Sequence, residues 1–93
     1  MIKEPIELTQ TAKGILELTI KKGYKFITRD EGGAVHLHRL EPHKSEYDWT
    51  DRHNIYYTLG FFGDLFPFVK WEDEEPTKIN DVLENCVVVE EKE

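Results

Sequence analysis

The sequence predicts a small single domain of the α+β class, and three observations support this prediction. A chain of 93 residues is too short to divide its apolar side chains between two cores. Two segments carry apolar residues at helical spacing, and between them a pair of glycines separates two β-branched and aromatic segments. We therefore expect an N-terminal helix, a β-hairpin with one or two further antiparallel strands, and a short C-terminal helix on one sheet face. The domain covers residues 1–93, with frayed ends expected at 1–6 and 90–93.

The N-terminal helix is predicted between Leu8 and Lys22. Apolar residues recur there on one helical face, at Leu8, Ala12, Ile15, Leu16 and Ile20. Two lysines then meet the negative end of the helix dipole, and Gly23 suits the left-handed stop position. A strand over residues 16–20 stays open as an alternative, because Gly14 costs a helix about 1 kcal/mol relative to alanine.

The β-hairpin is predicted over residues 24–40. Residues 24–29 and 34–40 are rich in β-branched and aromatic side chains. The turn between them, at residues 30–33, ends in two glycines that adopt positive φ readily.

Residues 41–54 have the polar composition of a loop. Trp49 is the exception in this segment. A tryptophan in a polar loop most often folds back as a lid on the edge of a core, and less often anchors a partner protein. Both roles stay open from the sequence.

Nine of the eleven aromatic residues lie between residues 47 and 71, so the core is expected to draw on this section. Residues 55–59 suit a strand or a short helix, and two glycines then bracket a tight passage. Residues 66–71 suit a last strand. Since Pro67 has no backbone donor, that strand should begin there or lie at a sheet edge.

The C-terminal helix is predicted to begin near Thr77. Its apolar face consists of Ile79, Val82, Leu83 and Cys86, at helical spacing. Cys86, the single cysteine, is expected to be an unreactive apolar residue on this helix, because no cation lies near it in sequence. Residues 87–89 suit a brief edge strand.

The net charge of −7 is concentrated at one end of the chain. Residues 1–71 contain ten basic and ten acidic residues, whereas residues 72–93 contain nine acidic residues and two lysines. An acidic surface repels phosphates and membrane headgroups and attracts basic protein surfaces. The sequence has neither an apolar run of roughly 20 residues, the length that spans a bilayer, nor a signal-peptide pattern. We therefore expect the protein to be cytoplasmic and to make no membrane contact.

Four consecutive carboxylates, at residues 72–75, directly precede Pro76 and the predicted helix start. One or two acids at that place are explained by the positive end of the helix dipole. The surplus is either a solvated connector or an acidic contact surface bordered by Trp71, since an aromatic ring beside charge is typical of interaction hot spots.

Two parts of the chain carry a family resemblance. They are KGYKFITRDEGG at residues 22–33, and DLFPFVKWEDEEP with INDVL at residues 64–76 and 79–83. These segments resemble small proteins encoded in phages and prophages of Gram-positive bacteria, which pair such a hairpin with such an ending. The resemblance implies a mobile-element origin and a small α+β fold. It indicates no catalytic residues, because the family has no assigned activity. His36, His38 and the loop at 41–54 depart from its pattern.

Metal chemistry has weak support. His36 and His38 leave the same face of a strand, and His43 follows closely, but a solvated strand face explains this spacing better. Consecutive carboxylates do not converge on one Mg²⁺ ion, and the chain has no phosphate-binding loop or nucleophile motif. We therefore expect no cofactor and no enzymatic activity.

Protein binding is the function that the sequence favours. The expected contact residues are Trp71, Glu72, Asp73, Glu74 and Glu75, with Trp49 as a secondary anchor. If the phage origin is right, the partner is a host nucleic-acid-binding or defence protein with a basic surface, which this protein inhibits or modulates. The alternatives are a metal-dependent enzyme, with less support, and a single-stranded nucleic-acid binder. The latter would use Lys21, Lys22, Tyr24, Lys25, Phe26 and Arg29, although the pI of about 5.1 makes nucleic acid an unexpected ligand.

Overall fold

A computed structural model of the chain describes residues 4–53 and 55–90. Within these residues the elements follow in the order β1 (Ile6–Thr9), α1 (Gln10–Lys21), β2 (Phe26–Arg29), β3 (Val35–His38), β4 (His43–Lys44), β5 (Trp49–Thr50), β6 (Tyr56–Thr58), a 3₁₀ helix (Gly60–Leu65), β7 (Thr77–Lys78), α2 (Ile79–Glu84) and β8 (Cys86–Val89). The fold is α+β, which confirms the predicted class.

A four-stranded antiparallel sheet forms the centre of the molecule, with strand order β6-β3-β2-β7. The predicted hairpin is its middle pair, in which Phe26 lies opposite His38 and Ile27 opposite Leu37. The two outer strands, β6 and β7, are the further antiparallel strands that the sequence predicted. Residues 77–78 therefore belong to the sheet, and α2 begins at Ile79 instead of Thr77.

Helix α1 is confirmed, and the strand alternative is wrong. The Thr9 hydroxyl caps its start by accepting the Ala12 N–H at 3.1 Å. At its end, Gly23 has a φ of 95° and donates to the Ile20 carbonyl, as in a Schellman motif. The helix starts later than predicted, because Leu8 lies in β1.

Strand β1 pairs in parallel with β8, with Ile6 opposite Cys86. The predicted edge strand at 87–89 is thus confirmed, but Cys86 begins that strand and is not on the helix. Fraying through residue 6 is wrong at Ile6, whose N–H donates to the Asn85 carbonyl at 2.9 Å. The predicted frayed residues 1–3 and 91–93 lie outside the described part of the chain.

The hydrophobic core lies between the two helices and one face of the sheet. Ile27 and Leu37 point into it from the sheet, and they are at most 1 % exposed. The other members are fully or nearly fully buried: Leu8, Ala12, Leu16, Val35, Leu59, Phe66, Val69, Ile79 and Val82. The prediction that the C-terminal helix packs on one sheet face is confirmed.

The predicted strand at residues 66–71 is wrong. This segment turns, and its backbone carbonyls are bound by a side chain instead of a neighbouring strand. The Arg29 guanidinium donates to the carbonyls of Gly63 (2.9 Å), Phe66 (3.0 Å) and Val69 (2.7 Å). Because these acceptors are satisfied without a ladder, Phe66 and Val69 enter the core from an irregular segment.

The second sheet face is covered by residues that the sequence assigned to a loop. Strands β4 and β5 form a short hairpin there, with His43 opposite Thr50. The backbone N–H of Trp49 donates to an Asp30 carboxylate oxygen at 3.2 Å, and Trp49 is 3 % exposed. This polar segment therefore forms a lid over the sheet. The burial of Trp49 favours the first of its two predicted roles, folding back against the domain, over the role of a partner anchor.

Candidate functional site

A buried polar network lies beneath this lid. Thr28 and His38 come from neighbouring strands, and the Thr28 hydroxyl is 3.0 Å from the His38 Nε2. The His38 Nδ1 in turn faces an Asp51 carboxylate oxygen at 3.7 Å. All three residues are buried, with exposures of 2 %, 0 % and 5 %. The sheet face that carries them is therefore polar yet shielded from solvent.

The Asp51 carboxylate is held by backbone donors that follow it in sequence. Its Oδ1 accepts the N–H of His53 at 2.8 Å and of Ile55 at 3.4 Å. Burial alone would raise the pKa of Asp51, but these donors and His38 outweigh it and lower the pKa below 3.8. Burial lowers the pKa of His38 below 6.5, against the opposing effect of Asp51. At neutral pH the network holds a carboxylate beside a neutral imidazole.

The order hydroxyl, imidazole, carboxylate resembles that of nucleophilic catalysis, but the setting does not suit it. A substrate cannot reach a hydroxyl on a residue that is 2 % exposed or a ring that is fully buried. The network is better explained as a buried polar contact that joins β2, β3 and the lid, in which the His38 Nδ1 and one Asp51 oxygen face each other beyond hydrogen-bond distance.

The two candidate metal ligands, His36 and His38, each face a separate carboxylate. The His36 Nδ1 is 3.1 Å from an Asp30 oxygen, and the His36 and His38 rings lie 4.6 and 6.2 Å from the Tyr56 ring. The expectation of a solvated strand face is therefore wrong, since the lid and Tyr56 cover this face. Across residues 4–53 and 55–90, no group of three or more His, Cys, Asp or Glu side chains is arranged to hold a metal ion.

The acidic segment at residues 72–75 lies in a turn before β7. The helix-dipole explanation for part of its acidity is wrong, because β7 separates the carboxylates from the start of α2. Only Asp73 has a local structural role: its Oδ2 accepts the Lys70 N–H at 3.1 Å. Glu72, Glu74 and Glu75 are exposed.

No lysine or arginine of the described chain lies within ion-pair distance of these carboxylates. Glu74 and Glu75 border two open grooves. The hairpin groove, of about 360 Å³, is lined by Glu41, Lys44, Trp49, Glu74, Glu75 and Lys78 among others. The helix groove, of about 320 Å³, is lined by Glu4, Glu75, Lys78, Asp81 and Asn85 among others. Glu75 and Lys78 therefore lie on the ridge between the two grooves.

Trp71 is half-buried beside the acidic segment, and its ring carries a cation from the lid. The Lys44 ammonium lies 4.2 Å from the centre of the Trp71 ring and 5.4 Å from that of Trp49. It also donates to the Asp73 carbonyl at 2.9 Å. The expectation that Trp49 is a secondary anchor does not fit this arrangement, because its side chain lies under the lid.

The basic and aromatic stretch at residues 21–29 does not form a stacking surface. Phe26 is buried in the sheet, and the Arg29 guanidinium donates to four backbone carbonyls. The Tyr24 ring is covered by the Arg39 guanidinium at 4.4 Å. Exposed lysines remain at positions 21, 22 and 25.

Three residues that matter here were missed by sequence reasoning: Asp30, Lys44 and Asp51. One signal pointed towards two of them. Polar side chains alternate along β2 and β3 at Thr28, His36 and His38, and a polar buried face requires polar partners from a covering segment. The contact of Lys44 with Trp71 had no such signal.

Comparison with protein-family models, with curated proteins and with solved structures gave no match. No helix in the described part of the chain is long and apolar enough for a membrane span.

Proposed function

We propose that the protein binds a partner protein with a basic surface. The contact is made by Trp71 and by three exposed acids, Glu72, Glu74 and Glu75. We call these three acids the acidic surface. The observation that supports this most is that these three carboxylates are exposed and have no lysine or arginine partner among residues 4–53 and 55–90. Asp73 shapes the turn that presents them.

The position of the acidic surface suits a protein ligand better than a small molecule. Glu74 and Glu75 lie along shallow grooves that each contain further acids, Glu41 in one and Asp81 in the other. Lysine and arginine side chains are long enough to enter such grooves from a facing surface. Uncompensated carboxylates also speed the encounter with a basic partner through long-range attraction.

The partner class that we propose is a nucleic-acid-binding or defence protein that the acidic surface inhibits or modulates. A basic groove built for phosphates also accepts a row of carboxylates, because both are anionic oxygen acceptors. The resemblance to phage-encoded proteins at residues 22–33 and 64–83 motivates a bacterial host protein as this partner.

The experiment compares capture from bacterial lysate, with and without nuclease, by three versions of the protein. The test variant carries Glu72→Gln, Glu74→Gln and Glu75→Gln. The control variant carries Glu17→Gln, Glu31→Gln and Glu46→Gln, which remove the same charge from exposed positions elsewhere. Each captured protein is then purified and its dissociation constant is measured with all three versions.

We expect the test variant to lose at least about tenfold in affinity, because several charge contacts of about 0.5 kcal/mol or more are removed together. The control variant should stay within about twofold of the wild type. Equal losses in both variants would mean that net charge alone drives capture, and the acidic surface would then have no special role. Capture that disappears with nuclease would point to bridging nucleic acid instead.

A further inference from the structure

The Trp71 ring already holds an ammonium group, supplied by the chain itself. The Lys44 Nζ lies 4.2 Å from the ring centre and donates to the Asp73 carbonyl at 2.9 Å. An aromatic face and a carbonyl oxygen on one primary ammonium satisfy both its charge and one of its N–H groups. We call this pair of groups the Trp71 site.

The Lys44 contact is easily exchanged. Lys44 is exposed, and a cation over an aromatic ring at an exposed position contributes only about 0.5–1 kcal/mol. The site also adjoins the acidic surface, since Glu72 follows Trp71 directly and Glu74 lines the groove that Lys44 lines. A second ammonium group that is attracted by these carboxylates reaches the position over the Trp71 ring that Lys44 occupies.

We propose that the Trp71 site binds a lysine side chain of the partner and that Lys44 is its built-in competitor. This inference rests on the proposed function, and it adds the chemical group that is recognised. Displacement of Lys44 exposes the Trp71 ring to the incoming ammonium and frees the Asp73 carbonyl to accept one of its N–H groups. Lys44 therefore lowers the affinity for a lysine-bearing partner.

The carbonyl also gives the site a preference among cations. A primary ammonium binds the ring and the Asp73 oxygen together, whereas a trimethylated ammonium has no N–H to donate. The site should therefore select unmodified lysine over trimethyllysine, even though both carry the same charge.

The test uses a peptide of alternating lysine and glycine as the probe, with dissociation constants measured by calorimetry at low salt. Lys44→Gln removes the competitor. Lys78→Gln is the matched control, because Lys78 is an exposed lysine that lines the same groove, and its loss changes the net charge equally. Lys44→Arg keeps a cation able to cover the ring.

We expect Lys44→Gln to bind the peptide about two- to fivefold more tightly than Lys78→Gln, the range that a contact of this strength gives. Lys44→Arg should stay close to the wild type. The trimethyllysine version of the peptide should bind Lys44→Gln more weakly than the unmodified one. In the NMR spectrum of the wild type, the peptide should shift the indole N–H signal of Trp71.

Equal affinities of Lys44→Gln and Lys78→Gln would overturn the competitor role, and an unmoved Trp71 signal would overturn the site. Both results leave the proposed function intact if the variant with Glu72→Gln, Glu74→Gln and Glu75→Gln binds the peptide more weakly than the wild type. If that variant binds the peptide as well as the wild type, the proposed function itself fails.

Discussion

The two faces of the central sheet are built in opposite ways. On one face, Ile27 and Leu37 pack against α1 and α2 in an apolar core. On the other, Thr28, His36 and His38 lie under a polar lid, where His36 faces Asp30 and His38 faces both Asp51 and Thr28. Both faces are shielded from water, but the first gains its stability mainly from apolar burial. The second combines the buried rings of Phe26 and Trp49 with buried polar groups, which are stable only while their hydrogen bonds and charge contacts hold.

This difference teaches which parts of the molecule tolerate change. An apolar core loses stability in proportion to the volume removed, whereas a buried polar network fails when one member loses its partner. The apolar face should therefore set the overall stability, and the polar face should make that stability depend on pH.

The largest expected effect is on the apolar face. Leu16→Ala should lower the free energy of unfolding by about 2–5 kcal/mol, because Leu16 is fully buried between helix and sheet. Leu18→Ala is the matched control on the same helix, since Leu18 is 54 % exposed, and it should cost less than about 1 kcal/mol. Urea unfolding of both variants measures the difference. Equal costs would contradict the assignment of the core face of α1.

Arg29 is the one charged residue of β2, and it lies on the apolar face of the sheet, opposite Val35. Arg29→Met should cost about 2–3 kcal/mol, because the carbonyls of Gly63, Phe66 and Val69 lose a charged donor. Arg39→Met, which removes an exposed arginine bound to a single carbonyl, should cost less than about 1 kcal/mol. Thermal unfolding compares the two, and a small effect at Arg29 would mean that residues 63–69 hold their path without it.

The apolar face was predictable from the sequence because its signals are local. The spacing of Ala12 and Leu16 indicates the helix, and the β-branched and aromatic residues around two glycines indicate the hairpin that carries Ile27 and Leu37. The turn at residues 66–71 was not predictable. Its composition suits a strand, and the guanidinium that replaces the ladder comes from Arg29, far away in the sequence.

The candidate site was predictable only in part, for a similar reason. The acidic run and its neighbour Trp71 stand out in the sequence, and the exposure of Glu72, Glu74 and Glu75 follows from their charge. That Lys44 covers the Trp71 ring depends on where the lid hairpin folds over the sheet, which no local pattern reveals. The same applies to Asp51, whose role depends on the sheet face below it.

A pH titration tests the polar face. The pKa of His38 is lowered by burial, so the unfolded chain binds a proton more readily than the folded one below pH 6.5. The free energy of unfolding should therefore fall as the pH drops from 6.5 to 5, by at most about 1.4 kcal/mol per pH unit for this group. The lowered pKa of Asp51 contributes stability above pH 3.8 that is lost below it, outside this window.

The control for this titration exchanges one histidine at a time. His38→Gln should reduce the slope between pH 6.5 and 5, whereas His43→Gln, at an exposed position on β4, should leave the slope close to that of the wild type. Urea midpoints at several pH values give the slopes. If both variants keep the wild-type slope, the buried network does not control the pH dependence, and the proposed difference between the two faces is wrong.

The smallest expected effect concerns the helix that lies over the apolar face. Gly14 is within α1, and a Cβ placed on it meets no atom within 4 Å. Gly14→Ala should therefore stabilise the protein by about 0.5–1 kcal/mol, through the higher helix propensity of alanine. Gly33→Ala serves as the contrast, because Gly33 has a φ of 96° that alanine rarely adopts, and it should destabilise the hairpin turn. Calorimetric melting of both variants tests this. A loss of stability in Gly14→Ala would mean that the outer surface of α1 makes a contact needing glycine, and the helix would then be held by more than its packing on the apolar face.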